Sequence, residues 1–554
     1  MFTIKILPLA LLMIANQALA QQVPVINGQM QQIPTVPKLQ TTVPKVSIKS
    51  EAGTPLSDSE QTKIVVKNLR ISGANVYSEA ELIRVTGFRP GSELNLDQLR
   101  EMAVRISNYY HQNGYFVTQA YLPAQDIRDG NLTITVMEGR YGKITVRNQS
   151  NVSDSLINGY VADLHANDVI TASALENRLL LLSDLPGIKL NSVLSPGSQL
   201  GNSDLSIDVM QGARFSGSVD IDNAGNRYTG EYRLGATLNF NEPFGQGDIA
   251  SIRALTSGDG LRYARASYQM QFGKLKAGLA YSALEYKLGE EFEDLGAHGS
   301  TKVSSVFVGY PLIRSRDKNL YGQLGFDSKV FKDYVDAVGT VSDKKSKLLI
   351  ASLYGDVRDS WGGGGQTNYS LSLSSGEIDL RSPVMRSFDA ITAKQNGHFN
   401  KVNFNLMRLQ NIGDSLSLYG SLSGQFASKN LDVSEKMELG GMYAVRAYPE
   451  GEAFADQGVL ANLELRWQLP IRAATSSQLQ LIGFVDAGRV DINKSPWTAG
   501  TNHRSLSGAG LGITWSDYNN FVVKAYYAKK LGNEKASSGP DASGRFWIQA
   551  VKYF

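Results

Sequence analysis

The chain has no cysteine among its 554 residues, which excludes disulfide frameworks, thiolate metal sites and cysteine nucleophiles. It also has almost no excess of either charge. Lys plus Arg is 55 against Asp plus Glu 52, a net +3, which argues against a nucleic-acid partner because that requires a concentrated basic surface. The five histidines, His111, His165, His298, His398 and His503, are scattered without the spacing of a metal-ligand pair. No G-x-S-x-G nucleophile elbow and no G-x-x-x-x-G-K-[ST] phosphate loop occurs. Carboxylates are numerous but none pairs off as acid and base, so no catalytic, cofactor-binding or metal residue is assigned and the chain reads as a non-enzyme. Long hydrophobic runs are missing too, since nothing approaches the 18 or so consecutive apolar residues of a spanning helix.

The one apolar run is N-terminal. Lys5 precedes Ile6 to Ala15, and Ala18-Leu19-Ala20 follows; this short core with a small-x-small ending reads as a secretory signal over residues 1–20. No Cys follows the cleavage site, so no lipid anchor is expected there. Residues 21–63 hold Pro24, Pro34, Pro37, Pro44 and Pro55 and no acid before Glu51. They read as an extended linker, either a plain tether or a segment that plugs a pore.

From Ile64 the pattern becomes β-α-α-β-β. An alternating strand over Ile64–Ile71 leads to Ser78 and Glu81, spaced as a capping box. A second helix from Asn95 places Leu96, Leu99, Met102, Ala103, Ile106 and Tyr110 on one face and stops at Gly114. Strands are expected over Tyr115–Leu122 and Leu132–Met137. The order repeats through a strand at Gly142–Val146, a helix from Ser153, a helix from a Ser173/Glu176 box, and strands at Ile188–Leu194 and Asp204–Met210. Two units are thus expected, 64–139 and 140–212.

Residues 213–554 lose the helical period and become strands about ten residues long. Between Val459 and Leu469, Val459, Ala461, Leu463, Leu465, Trp467 and Leu469 fall on one face, and Asn462, Glu464, Arg466 and Gln468 on the other. A soluble sandwich also alternates, but its outer face would carry more Lys and Glu; this pattern suits lipid on one side and a wet lumen on the other. Eleven such segments precede a connection near 437 and five follow it, an even total of sixteen. The last, Arg545–Phe554, ends on an aromatic residue. The run Gly508-Ala509-Gly510-Leu511-Gly512 lacks the helix and acid of a nucleotide loop and reads as small residues in a barrel strand.

The connection itself stands apart, running from Leu439 through Val445-Arg446-Ala447-Tyr448 to Gly458. Downstream, Phe484-Val485-Asp486-Ala487-Gly488 puts Phe484, Asp486 and Gly488 on one strand face, which must be the lumen because lipid would penalise the Asp. Taken alone, Arg446 reads as a loop arginine and Asp486 as a solvated carboxylate. Together these features resemble the TpsB transporters of two-partner secretion, in the outer-membrane assembly-factor superfamily. That family has a signal peptide, two periplasmic POTRA domains and a 16-stranded barrel. It also has a long loop folded into the lumen, whose V-R-G-[YF] tip meets an F-x-D-x-G strand. Val445, Arg446 and Tyr448 match the tip with Ala447 in place of Gly, and Phe484, Asp486 and Gly488 match the strand.

The resemblance implies a β-rich multidomain fold: POTRA 1 over 64–139, POTRA 2 over 140–212, and an outer-membrane antiparallel transmembrane β-barrel over 213–554 with its lumenal loop near 438–456. It implies a pore that receives an unfolded partner in the periplasm of a Gram-negative bacterium and passes it to the cell surface without a cofactor. The implied partners are a large secreted protein (adhesin, cytolysin, haem scavenger or contact-dependent toxin), membrane lipid and lipopolysaccharide, and the barrel assembly machinery. An assembly factor for other barrels and a passive porin are the rival readings; the two repeats favour secretion. A loop arginine facing a lumenal Asp suggests a charge pair in a wet pore.

Overall fold

The computed structural model describes residues 29–34, 46–48, 63–127, 129–470, 477–517 and 520–554. The expected signal over 1–20 lies outside these residues, as does most of the 21–63 linker. Strand β1 (Val46–Ile48) belongs to that linker. The first unit then comprises β2 (Ile64–Val66), β3 (Asn68–Ser72), α1 (Glu79–Thr86), β4 (Ser92–Leu94), α2 (Leu96–Gln112), β5 (Gln119–Tyr121) and β6 (Asn131–Met137). Its main sheet runs β3-β6-β5, and β2 pairs separately with β4. The strand expected over Ile64–Ile71 is therefore broken. At Lys67 the chain changes sheets, and the N–H groups of Lys67 and Asn68 both donate to the Gly130 carbonyl.

The amphipathic reading of α2 holds: Leu99, Met102, Ala103, Ile106 and Tyr110 are buried against the sheet. Asn95 caps it reciprocally with Gln98. Ser78 Oγ does accept from Glu81 N at the start of α1, but the Glu81 carboxylate does not reciprocate, because it accepts the Tyr109 hydroxyl at 2.6 Å instead. The strand expected over Tyr115–Leu122 shrinks to three residues. Its first half turns away, and Phe116 and Val117 pack into the core of the second unit. Glu138 ties the first unit together, accepting from Asn75 N at 2.6 Å and Val76 N at 2.7 Å. Burial alone would raise its carboxyl; those two backbone donors, with the Asn75 side chain and the Tyr110 hydroxyl, outweigh it and hold the group below the usual carboxylate value.

The second unit comprises β7 (Arg140–Gln149), α3 (Asp154–Val161), α4 (Ala172–Ser183), β8 (Ile188–Pro196) and β9 (Asn202–Gln211). Its sheet order is β1-β8-β9-β7, so the linker strand covers the β8 edge in parallel register, Val46 opposite Ser192. The cap of α4 is Thr171, not Ser173, because Thr171 Oγ1 accepts from Ala174 N. Glu176 is thereby released from capping and pairs with Arg316 of the barrel at 2.7 Å.

The closed barrel begins with β10 (Phe215–Asp222), β11 (Arg233–Asn241), β12 (Ile249–Thr256) and β13 (Leu261–Phe272). It continues with β14 (Leu275–Lys287), β15 (Ala297–Arg314), β16 (Lys318–Val335), β17 (Thr340–Asp359) and β18 (Gly365–Leu380). After the short helix α5 (Pro383–Ile391) come β19 (Gly397–Asn411) and β20 (Leu416–Ala427). The hairpin β21 (Met437–Glu438) and β22 (Phe454–Ala455) lies in the next connection. The wall closes with β23 (Gln457–Gln468), β24 (Gln478–Asp491), β25 (His503–Asp517), β26 (Phe521–Lys530) and β27 (Gly544–Tyr553). Every expected strand is present, and all seams are antiparallel, including the closing pair of β10 and β27. Val459, Leu463, Leu465 and Trp467 project from the outer wall, as the alternation requires for a lipid-facing belt.

The second unit fixes which end is which. Arg314 reaches Asp184 at 2.8 Å, the Tyr160 hydroxyl donates to Gly273 O, and Ser153 N donates to Gly245 O at 2.8 Å. These barrel residues all lie at the turns entered on the side of the N-terminal units. The connections at 223–232, 257–260, 288–296, 336–339, 381–396, 428–456, 492–502 and 531–543 therefore open at the opposite end.

Candidate functional site

The connection between β20 and β23 does not project outward but returns into the barrel. Its base is the β21–β22 hairpin, and inside it Leu439 N donates to Ala453 O, Val445 N to Leu439 O, and Tyr448 N to Val445 O. This small knot presents Arg446 to the wall. Arg446 Nε donates to Asp486 Oδ2 at 2.8 Å and Nη2 to Oδ1 at 2.6 Å, while its backbone N–H donates to the same carboxylate at 3.1 Å. The third guanidinium nitrogen, Nη1, reaches Glu464 at 2.7 Å. The guanidinium also lies 3.5 Å from the Phe484 ring centroid, so charge, fork geometry and aromatic face are all used. Trp547 Nε1 donates to the Arg446 carbonyl at 2.7 Å.

The expected wet charge pair is instead a dry triad. Asp486 is fully buried, and Arg446, Glu464 and Phe484 are buried with it beneath Leu439, Val445, Tyr526 and Trp547. Water is displaced because the loop packs an apolar shoulder against the wall around the ions. Glu464 lies on the inward face of β23 that alternation already marks, but its partner in the loop is set by the fold and not by spacing. Its second oxygen takes Arg466 at 2.6 Å, and Asn462 bridges Asp486 to the Ala444 carbonyl.

The remaining motif residues shape the seat. Tyr448 is buried, with its hydroxyl donating to Glu534 O at 3.1 Å and Lys530 above its ring. Gly488 leaves space that the Leu439 side chain fills. Ala447 needs no glycine: positive φ occurs in the loop at Gly441 and Gly451, so the tightness expected at the tip is supplied elsewhere. Its methyl faces Gly508, where an added Cβ would stand 2.5 Å from it, and a Cβ at Gly510 would meet the Phe484 ring at 2.5 Å. Gly508 thus makes room for the loop tip, and Gly510 for the Phe484 ring beneath it.

A second anchorage has no counterpart in the sequence reading. Lys344 Nζ meets both oxygens of Asp432, at 2.8 and 2.7 Å. Glu435 receives Lys329 at 2.7 Å and Lys401 at 2.9 Å, and Lys436 pairs with Asp456 at 3.0 Å. All are buried or nearly so; Lys329, Lys344 and Lys401 come from β16, β17 and β19 of the wall, and the Lys436–Asp456 pair lies within the loop itself. Removing Glu435 would leave two lysines uncompensated, at a cost of about 3–5 kcal/mol. Glu435→Gln is therefore expected to free the loop base for cleavage by protease added to intact cells, whereas Glu435→Asp keeps much of the protection. Equal resistance of the Gln variant and the parent would remove this anchorage from the account.

The first described piece of the linker, Gln29–Pro34, also lies in the lumen, as a single turn. Arg233 Nη1 donates to Gln32 O at 2.8 Å, Gln31 Nε2 to Val433 O at 2.9 Å, and Met30 and Ile33 pack near Tyr228 and Tyr286. Among the described residues no group of three His, Asp or Glu side chains could hold a metal.

The sequence profile of the haemolysin secretion/activation proteins ShlB/FhaC/HecB matches residues 201–515, and that of the ShlB-type POTRA domain matches 64–139. The heme/hemopexin transporter protein HuxB of Haemophilus influenzae is 29% identical over 482 residues, 86% of this chain and 84% of that protein. Outer membrane transporter CdiB of Dickeya dadantii is 25% identical over 437 residues, 76% of this chain and 74% of its own. In structure, CdiB from Escherichia coli shares the fold with a TM-score of 0.69 at 19% identity, covering 98% of both chains. The chain therefore belongs to the ShlB/FhaC/HecB family, the TpsB transporters of two-partner secretion, as an outer-membrane barrel with its POTRA domains in the periplasm.

Proposed function

We propose that the first periplasmic unit is the receptor that captures the unfolded partner, and that the lumenal triad seats the loop against which the pore opens. The observation that carries the receptor role is a groove of about 850 Å³ between α2 and the edge strand β5, lined by Leu96, Leu99, Val104, Tyr121, Leu122 and Ile127. Val104 and Tyr121 project into solvent beside it. An extended cargo segment would lay alternate side chains in the groove and pair its main chain along β5. At Ala120 the N–H donates to Ser107 Oγ at 2.8 Å and the carbonyl accepts from the same hydroxyl at 3.5 Å, so an incoming strand must displace these local bonds. The β8 edge of the second unit is by contrast covered by β1.

The cargo we propose is one large exported protein of the adhesin, cytolysin, haem-scavenger or contact-dependent-toxin kind; the names of relatives speak of heme/hemopexin and hemolysin transport. Membrane lipid, lipopolysaccharide and the barrel assembly machinery are the further partners of this reading. Val104→Asp and Tyr121→Asp alter exposed side chains, so both proteins should reach the outer membrane. Each is expected to cut release of the partner into the medium by about tenfold, the effect of losing ~1.4 kcal/mol of binding. Undiminished release by both variants would show that cargo docks elsewhere.

A further inference from the structure

The outer wall carries one patch that a lipid belt alone does not explain. Leu279, Val306, Phe326 and Leu349 form a row across β14 to β17, exposed at 56, 55, 41 and 59%. This row lies in the apolar belt. One step of two residues toward the cell surface, about 6.6 Å along the strands, the row reads Tyr281, Ser304, Ser328 and Lys347. The next reads Ala283, Lys302, Val330 and Lys345, and the one above it Glu285, Ser300, Lys332 and Asp343. Four lysines and three serine hydroxyls thus stand directly above the belt, all on the outward face. Lys302 and Lys345 flank Val330, two strand spacings or about 10 Å apart.

The nearby acids only partly oppose them. Asp343 faces Arg381 at 3.6 Å and Asp379 faces Arg386 at 3.1 Å, which leaves Glu285 and Glu377 against the four lysines, with Lys287 above. Around the rest of the described wall, outward cations at this height stand singly, as Arg262, Arg489 and Lys529.

We propose that this face, formed by Lys302, Lys332, Lys345 and Lys347, is a docking surface for the phosphorylated glucosamine headgroup of lipopolysaccharide in the outer leaflet. The inference deepens the lipid part of the function proposed above. Its height places the lysines level with headgroup phosphates while their neighbours below meet acyl chains. Long lysine stems reach such phosphates from the wall, and hydroxyls supply donors between them. The outer leaflet is the occupant because the strands carry the patch at the end away from the periplasmic units.

The test uses the full chain in detergent micelles doped with bis-phosphorylated lipid A, with bound lipid assayed by its fatty acids after gel filtration. The parent should retain lipid A, and Lys302→Gln/Lys332→Gln/Lys345→Gln/Lys347→Gln should bind it at least about tenfold more weakly. Should that variant not fold, Lys302→Gln/Lys345→Gln is expected to show a smaller loss of the same sign. Retention of dephosphorylated lipid A equal to the phosphorylated form, competition by inorganic phosphate at millimolar levels, or unchanged binding by a folded variant would each overturn the proposal. Secretion is scored separately through the groove variants, so failure of the lipid site and failure of the receptor reading are told apart.

Discussion

Arg446→Ala is expected to reduce secretion to a small fraction of the parent while the barrel still inserts and keeps its resistance to unfolding in detergent. The guanidinium joins the loop to two strands at once, through Asp486 of β24 and Glu464 of β23. Its removal strands Asp486 in a fully buried position with Asn462 as its remaining side-chain donor. Breaking a buried pair in this way costs about 3–5 kcal/mol, roughly two to three and a half decades in the balance between seated and unseated loop. Asp486→Ala should be milder, because Arg446 keeps Glu464.

Because the two residues act through one contact, Arg446→Ala/Asp486→Ala should secrete no worse than Arg446→Ala, since it removes the stranded charge as well. Arg446→Lys should not restore function, as one ammonium cannot span both carboxylates. Secretion is measured with barrel abundance in the outer membrane as control. Losses that multiply in the double variant would mean that the residues act independently.

Deleting residues 64–139 should abolish secretion altogether and leave a barrel that inserts. The second unit keeps its own fastening to the barrel through Arg314 and Asp184, Arg316 and Glu176, and the Asn177 side chain on Arg314 O. What it loses is the packing of Phe116 and Val117, the bonds from Ile170 N to Gly139 O and from Ala172 N to Gly114 O, and the Arg140–Glu138 pair. The deletion therefore separates cargo capture from pore assembly. Normal export by the shortened chain would take the receptor role away from the first unit.

The barrel was legible because its alternation is a local property: each strand declares lipid and lumen sides within about ten residues. The loop tip and its strand were legible through the resemblance, as Val445, Arg446, Tyr448, Phe484, Asp486 and Gly488. Glu464 and the lysines at 329, 344 and 401 were not, for a physical reason. Each lies on an inward strand face where a charge is unremarkable, and becomes a partner only when closure brings strands distant in sequence around the loop. Ser173 and Glu176 have the spacing of a capping box two residues inside the helix, whose start is set by Thr171, and spacing alone does not locate that start. The break at Lys67 was hidden by an unbroken alternation, which cannot reveal a change of sheet.

The seam between β10 and β27 has a consequence for how the barrel comes together. Every other seam joins barrel strands that follow one another in the chain, and most form as hairpins with short closures, the β20–β23 seam being the exception because the lumenal loop at 428–456 separates its strands. The β10–β27 seam joins the first barrel strand to the last through five paired residues, Ser218 to Asp222 against Tyr553 to Gln549. Its closure carries nearly all of the long-range ordering entropy of the barrel for the smallest number of ladder bonds. On this entropic ordering the two free edges are expected to meet last, and the reciprocal bonds between Gly217 and Phe554 extend the closing seam.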